Sequence, residues 1–291
     1  MKRSKNFIFA SVLLAFAAMQ AAACPYAYVI NFSGQFGLMD LATGVFTPVG
    51  KGLPNTPDGI AGKPGGPFYT VDGTTGHLLK ITTDGNVTDV GDTHTGPNVG
   101  PNGISLIGAL TDGTLYALDF SNRLFRINEK TAELTLVAYL STLAVQIPEY
   151  AGNMVTSLNG DSEKLYFTLQ ILEGPEQTGP NLYVIDPKTG AVANYGVKLN
   201  DLVIGSGLVN GVYYLFGAGG TIFTLDTATH KTAVVASYDS GITPDGPPFT
   251  GIFGAIEPME PVTVAPNPHD AATATGTRHA RWPSRSLPRV R

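Results

Sequence analysis

Short hydrophobic runs, each broken by Gly, Pro or Asp, follow one another along the whole chain in a fixed order. The runs are five to nine residues long, rich in Val, Ile, Leu, Thr, Tyr and Phe, and many alternate between apolar and polar positions, which is typical of β-strands. Four kinds of run recur. The first kind follows a Pro- or Gly-rich loop and comprises 58–62, 102–110, 152–158, 205–209 and 250–256. Aromatic-rich runs come next, at 26–32, 67–73, 114–120, 164–170 and 212–218.

The third and fourth runs of each unit are separated by short Gly-containing turns. The third kind comprises 36–44, 77–85, 123–132, 181–190 and 221–230, and the fourth follows directly at 45–50, 86–91, 133–138, 191–196 and 231–236. Motifs such as "PKTG", "LATG" and "TTDG" between them predict tight hairpins, because Asp and Gly tolerate a positive φ. Four antiparallel strands every 40–50 residues are typical of a β-propeller blade.

The count of units predicts an all-β fold, a β-propeller of five four-stranded blades. The first unit lacks its opening run, and the last opening run, within 249–256, has no unit after it. We therefore expect residues 249–256 to supply the missing inner strand of the blade formed by 26–50, so that pairing of the N- and C-terminal strands closes the ring and removes an open edge. The alternative is a six-bladed ancestor, in which the tail without a strand pattern has replaced lost sequence.

The two ends of the chain follow a different pattern from residues 24–260, which we predict to form a single propeller domain. Residues 1–23 combine three basic residues, an apolar stretch and "AAA", which predicts a secretory signal peptide. Cys24, the only cysteine, then excludes an intramolecular disulfide and raises a lipid anchor as an alternative to ordinary cleavage. Residues 261–291 hold five arginines, one acid and no strand period, which predicts a disordered basic tail; a surface or polyanion anchor is the alternative.

The composition narrows the classes of function. Charged residues make up only 14% of the chain. Without the signal peptide and the tail, the chain has ten basic and 22 acidic residues, which argues against nucleic acid as a partner of the core. No run after the signal peptide is long enough to cross a membrane as a helix. We expect a secreted or periplasmic monomer.

The segment "PNGISLIGALTDGTLYALDFSNRLFRI" resembles repeats of the six-bladed NHL and SMP-30/gluconolactonase-like propellers, whose blades open with Pro-x-Gly-Ile/Leu and continue through Asp-Gly-x-Leu-Tyr. The similarity covers residues 26–256 as a pattern of repeats. Because many unrelated propellers share this pattern, it supports the fold more than the activity. WD40-type and virginiamycin-lyase-like repeats are disfavoured, since the core lacks tryptophan.

Strand order places the longest loops at one end of the predicted propeller, which we call the rim. The loops that enter the inner strands are long at 50–58, 91–102, 139–153 and 238–250, and the insertion 172–180 lies at the same end. Binding surfaces usually lie on loops held by a rigid scaffold. The rim is therefore the candidate site for an unidentified protein, glycan or small molecule.

Aligning the inner strands places one small polar residue per blade at the mouth of the predicted channel: Asp58, Asn102, Asn153, Ser206 and Thr250. The resemblance to SMP-30-like lactonases implies that Asp58, Asn102 and Asn153 hold Ca²⁺ or Mg²⁺ through oxygen ligands. The ion would polarise a lactone carbonyl, and His94 would be the base that activates water. However, the first blade has no early glutamate to complete such a set. Short polar residues also cap strand ends in any turn-rich fold.

These observations predict a non-catalytic binding or scaffold module that acts through its rim. A metal-dependent lactonase-like hydrolase is the alternative, and a purely structural surface protein is a third hypothesis.

Overall fold

A computed structural model of the chain describes residues 25–93, 103–119, 121, 123–140, 153–171, 181–199, 201–239 and 251–258, which all lie in one unit spanning residues 1–261. The regular structure in these ranges consists of strands. They are β1 Tyr26–Asn31, β2 Phe36–Asp40, β3 Phe46–Pro48, β4 Ala61–Gly62, β5 Phe68–Val71, β6 His77–Ile81, β7 Val87–Asp92, β8 Ile104–Ala109, β9 Leu115–Asp119, β10 Arg123–Ile127, β11 Leu134–Tyr139, β12 Asn153–Gly160, β13 Leu165–Ile171, β14 Asn181–Ile185, β15 Val192–Lys198, β16 Val203–Val209, β17 Val212–Gly217, β18 Thr221–Asp226, β19 Lys231–Ser237 and β20 Ile252–Ile256.

The strands form three four-stranded sheets and one eight-stranded sheet. The four-stranded sheets are β4–β7, β8–β11 and β12–β15, each an antiparallel meander. The eight-stranded sheet has the order β19-β18-β17-β16-β20-β1-β2-β3 and contains two antiparallel sets, joined by one parallel bridge between Ser206 and Gly254. The predicted all-β fold built from four-stranded units is therefore confirmed.

The last described strand pairs with the first one, as the sequence predicted. β20 runs antiparallel to β1, with Tyr28 opposite Ile256 and Ile30 opposite Gly254. We number the resulting sets of four strands as groups: group 1 is β20 with β1–β3, and groups 2 to 5 are β4–β7, β8–β11, β12–β15 and β16–β19.

Within a group, burial decreases from the inner strands to the outer one. In group 3 all five residues of β9 are buried, whereas most of β11 is half-buried or exposed. In group 5, β17 is buried over five of its six residues and six of the seven residues of β19 are exposed. Both faces of the inner strands are therefore covered by neighbouring groups, which explains their nearly continuous apolar sequence.

Five hydrophobic clusters hold the groups together, and each contains residues of two groups. One cluster joins groups 2 and 3 through Tyr69 and Phe125, and another joins groups 3 and 4 through Tyr116 and Phe167. The remaining three clusters join group 4 to 5, group 5 to 1, and group 1 to 2. The aromatic residues of the second strands thus pack between groups, as Tyr116, Tyr166 and Tyr213 do.

A contact between a turn and a strand recurs in all five groups. The turn from the third to the fourth strand ends in a residue with positive φ: Gly44, Gly85, Ala132, Gly190 or His230. Each of these residues lies against the end of the outer strand of the preceding group, near Ser237, Gly50, Gly91, Ala138 and Gly196 respectively.

At least one residue of each of these contacts is glycine, because two opposing side chains would overlap. A Cβ on Gly190 would lie 2.0 Å from the Cβ of Ala138, whereas a Cβ on Gly91 would lie 3.6 Å from that of Ala132. The turn therefore carries a side chain in groups 3 and 5, where the opposing residue is glycine.

Near the C-terminal end of β12, the Asn159 amide links three inner strands. Its Nδ2 donates to the carbonyl oxygens of Ser206 (2.8 Å) and Ala255 (3.5 Å), and its Oδ1 accepts from the N–H of Gly160. The side chain is only 9% exposed. Asn159 therefore fixes β12, β16 and β20 side by side.

Candidate functional site

Asp58, the acidic member of the predicted channel ring, is held by its backbone between groups 2 and 3. Its N–H donates to the carbonyl of Val71 (2.9 Å), and its carbonyl accepts from the N–H of Ile107 (3.0 Å). The next residue, Gly59, forms a parallel bridge with Ile107. The backbone of Asp58 is thus fixed from two sides, and the residue is half-buried.

The Asp58 carboxyl lies beside a second carboxyl, that of Asp72. Burial, together with the charge of Asp72, raises the pKa of Asp58 to about 7. Burial would also raise the pKa of Asp72, but hydrogen bonds from Asn55, Thr74 and Thr75 outweigh it and lower the pKa. Asp72 is therefore ionised at neutral pH while Asp58 is close to half-protonated, a separation of two neighbouring carboxyls that is common at functional sites.

The hydrogen bonds of the two carboxyls agree with this difference in pKa, because within the described structure only the Asp72 carboxyl accepts hydrogen bonds that stabilise its charge. Asp72 Oδ1 accepts from the N–H groups of Thr74 and Thr75, and its Oδ2 accepts from Asn55 Nδ2 at 2.8 Å. The described part of the chain offers no hydrogen-bond donor to the Asp58 carboxyl. A Cβ on Gly73 would lie 3.1 and 3.3 Å from the Asp58 carboxyl oxygens, so the absence of a side chain there leaves room for them.

The partners of Asp58 were not predicted from the sequence, although a signal was present. The second strand ends in Asn31 in group 1 and in Asp119 in group 3, and Asp72 directly follows it in group 2; each of these buried side chains accepts hydrogen bonds from backbone N–H groups of the following turn. Asp119 also binds the guanidinium of Arg123. Asp72 has the amide of Asn55 in that place and no cationic partner among the described residues, and its negative charge acts on Asp58.

The structure places the other predicted ring residues as follows. Asn102, Thr250 and the candidate base His94 lie outside the described residues. Asn153 is the first residue of β12, opposite Ile171, and its side chain is outside the description. Ser206 is buried and its Oγ accepts a hydrogen bond from the hydroxyl of Tyr213 at 3.1 Å.

Asp58 and Ser206 do not lie at the same height along the inner strands. Ser206 pairs with Gly254, and a Cβ on Gly254 would lie 3.0 Å from the Ile60 side chain. Asp58 comes two residues before Ile60 and is therefore nearer the rim.

The described donors for a divalent ion are few. Within the described ranges, no set of three or more His, Cys, Asp and Glu side chains is close enough to hold a metal. Both oxygens of Asp72 already accept hydrogen bonds, so Asp58 is the carboxylate of this pair with room for a cation. Oxygen donors of this type suit Ca²⁺ or Mg²⁺, and the ligands Asn102 and Asn153 stay a prediction.

Two open cavities lie elsewhere in the described structure. One, of about 490 Å³, lies between groups 5 and 1 and is lined by Asn31, Gln35, Met39, Thr43–Phe46, Ser237–Asp239 and Ile252. The other, of about 560 Å³, lies on group 3 between the turn at Asp112 and the hairpin at Asn128–Lys130. Among the described residues, no helix is long and apolar enough to cross a membrane.

No family model matches the sequence, and no curated protein matches it. Solved structures similar to the chain include virginiamycin B lyase from Staphylococcus aureus, with 19% identity, a TM-score of 0.40, and coverage of 69% of this chain and 62% of the lyase. A streptogramin B lyase structure has 18% identity and a TM-score of 0.39, with 69% and 61% coverage. The extracellular domain of a one-component system from B. thetaiotaomicron has 14% identity and a TM-score of 0.42 and is covered over 28% of its length, against 79% of this chain. This chain thus spans less than two thirds of each of these proteins, and TM-scores below 0.5 carry no argument about its activity.

Proposed function

We propose that groups 1 to 5 are the five blades of a closed β-propeller, and that this secreted protein binds a ligand through its rim without catalysing a reaction. The five clusters between groups support closure, because they join each group to the next and group 5 to group 1. The recurrent contact between a turn and the preceding outer strand supports it independently, since it also occurs between groups 5 and 1.

The distribution of satisfied polar groups is the observation that supports binding at the rim. All nine buried polar side chains of the described structure make hydrogen bonds, most of them with backbone groups of turns or strands. Asp58, at the rim end of its inner strand, instead presents a carboxyl for which the described residues supply no donor. A polar group in this condition is available to a ligand.

A matched pair of substitutions tests the rim. Thr56→Arg places a long cation on an exposed position of the described rim loop, and Thr227→Arg does the same in the exposed β18–β19 turn at the opposite end. The full-length chain is measured by biolayer interferometry against a panel of polysaccharides and purified extracellular proteins. Binding that Thr56→Arg abolishes and Thr227→Arg leaves unchanged is the expected result. The rim assignment would be contradicted if neither substitution affects binding, or if only Thr227→Arg does.

A divalent-metal-dependent, lactonase-like hydrolase is the second candidate function, and the environment of Asp58 favours it. A bound cation would stabilise the ionised form of this carboxyl, which burial and Asp72 now oppose. Asp58, Asn102 and Asn153 would hold the ion, which would act as a Lewis acid toward a lactone carbonyl, and His94 would accept a proton from water.

Thermal unfolding separates the two candidates. An ion that binds only the folded chain raises its stability by mass action, by about 2.7 kcal/mol at one hundred times the dissociation constant. If the hydrolase proposal is right, millimolar Ca²⁺ added after EDTA raises the melting temperature by several degrees, and Asp58→Ala removes the rise. Identical curves with Ca²⁺ and EDTA would exclude a calcium-dependent site at Asp58.

A further inference from the structure

The cleft between groups 5 and 1 combines polar side chains on one side with an apolar floor. Asn31 and Gln35 come from the β1–β2 turn and Ser237 and Asp239 from the end of β19, all on the rim side, whereas Thr43–Phe46 come from the β2–β3 turn. Met39 and Ile252, which are 1% and 2% exposed, form the floor. Its volume of about 490 Å³ is within the range of about 300–1,000 Å³ that is usual for small-ligand sites.

The two amides present donors to this cleft. Asn31 is buried; its Oδ1 accepts from Ser33 Oγ and from the Gln35 N–H, and its Nδ2 donates to Gln35 Oε1 at 3.2 Å. One Nδ2 hydrogen of Asn31 and both Nε2 hydrogens of Gln35 thus have no acceptor among the described residues. Because Asn31 fixes Gln35 through two bonds, the donors are held in place before any ligand arrives.

The acceptors and the apolar wall come from the other residues that line the cleft. Asp239 adds a carboxylate and Thr43 a hydroxyl to the lining, and the Tyr238 hydroxyl donates to the carbonyl of Gly217. The ring of Phe46 lies across Gly37, where a Cβ would be 2.7 Å from the ring, and is half-buried at the cleft. Val45 beside it is 61% exposed and extends the apolar surface of the cleft.

We propose that this cleft binds a neutral saccharide unit. Fixed amide donors, a carboxylate acceptor and a hydroxyl match the hydroxyl groups of a sugar, each of which both donates and accepts, and an aromatic wall covers its C–H face. The described lining contains no Lys or Arg, so an anionic ligand finds no counter-charge there. This inference rests on the proposed rim function and names its ligand class.

Ligand-observed saturation-transfer NMR on the full-length chain tests the inference with glucose, galactose, mannose, maltose and cellobiose as probes and glucuronic acid as the anionic control. Gln35→Ala removes the exposed amide and keeps the backbone N–H that Asn31 binds, and Phe46→Leu keeps an apolar side chain but removes the ring. Asn86→Ala, which removes an exposed amide from the β6–β7 turn, is the matched control. Melting curves verify that each variant is folded.

Saturable binding of at least one neutral sugar, with glucuronic acid weaker, is expected. Gln35→Ala and Phe46→Leu should each weaken it about fivefold, the effect of one hydrogen bond or one aromatic contact, and Asn86→Ala should not change it. The inference is overturned if no neutral sugar binds saturably, or if both cleft variants bind as the unaltered chain does. The proposed rim function is contradicted by a separate result, namely that Thr56→Arg leaves binding of every polysaccharide and protein in the interferometry panel unchanged.

Discussion

Replacing Gly190 by alanine tests the contact between the turn of one group and the outer strand of the preceding one. The substitution adds one methyl group at a position with φ of 71°, where the new Cβ would lie 2.0 Å from the Cβ of Ala138. Gly211→Ala is the matched control, because Gly211 has a φ of 74° and a Cβ there meets no atom within 4 Å. The two variants share the backbone strain and differ in the steric overlap.

The magnitudes follow from these two components. An L-residue in the left-handed region costs about 1–2 kcal/mol relative to glycine, so Gly211→Ala should lower the free energy of unfolding by about that amount. Overpacking adds about 1–3 kcal/mol, which brings Gly190→Ala to about 2–5 kcal/mol. Ala138→Gly should cost about 0.5–1 kcal/mol alone, yet recover the overpacking when combined with Gly190→Ala. That double variant has alanine in the turn and glycine in the strand, as in the contact between Ala132 of group 3 and Gly91 of group 2.

Urea unfolding of the four variants and the unaltered chain, monitored by far-UV circular dichroism, measures these differences in the free energy of unfolding. A coupling energy of at least 1 kcal/mol between positions 138 and 190 is expected. If Gly190→Ala costs no more than Gly211→Ala, or if Ala138→Gly recovers nothing, the two residues do not touch and the packing of group 4 on group 3 is different.

Three further outcomes follow from buried polar groups. The pKa of Asp58 in the folded chain, about 7, lies above its ordinary value of 3.8. The contribution of Asp58 to the free energy of unfolding is therefore fully present below about pH 4, where the carboxyl is protonated in both states, and is lost as the pH rises through 7. In EDTA, Asp58→Asn should therefore match the unaltered chain at pH 4 and exceed its stability by at most about 4 kcal/mol above pH 8 in urea titrations; an advantage independent of pH would contradict the raised pKa. Asn159→Ala should lower the unfolding free energy by about 2–3 kcal/mol, since the carbonyl of Ser206 loses its amide donor, and a loss as small as that of Asn86→Ala would refute the bridging role. Arg123→Leu should cost about 3–5 kcal/mol in chemical denaturation because it leaves the buried Asp119 carboxylate without its guanidinium, and adding Asp119→Asn should recover part of that cost.

The strands and their order could be predicted because the signals are local. Alternation and Gly-containing turns mark β1 to β20 individually, and the missing run before Tyr26 together with the extra run at Ile252–Ile256 was enough to predict that β20 pairs with β1. The turn at Thr131–Ala132 has no glycine, yet it has the same conformation as the turn at Gly190. Asn128 accepts its N–H groups, as Asp186 does in the other turn.

The channel ring stays a prediction, because it depends on a register between inner strands that local signals do not contain. Aligning the Gly-Ile motifs assumes that each inner strand begins at the same height, but the height is set by packing between groups. Gly254 lies between Ile60 and Ser206, so Ser206 comes two residues deeper than Asp58. Asn55 and Asp72 could not be identified as neighbours of Asp58 from spacing either, because the bond between the Gly73 N–H and the Thr56 carbonyl brings those segments together.

The hydrogen bonds that polar side chains already make within this fold determine which of them can bind a ligand. A protein made of strands and turns must satisfy many turn N–H groups, and here the buried Asn31, Asp72 and Asp119 do so. A side chain committed to a turn cannot exchange its partners for a ligand without destabilising that turn, which makes it unsuitable for binding on its own. Asn31 shows how the two roles can coexist: its oxygen holds the turn, while its second Nδ2 hydrogen stays available at the cleft. If the saccharide probes bind there, ligand binding should therefore also protect the Gln35 N–H from hydrogen exchange, since the ligand and the turn share Asn31.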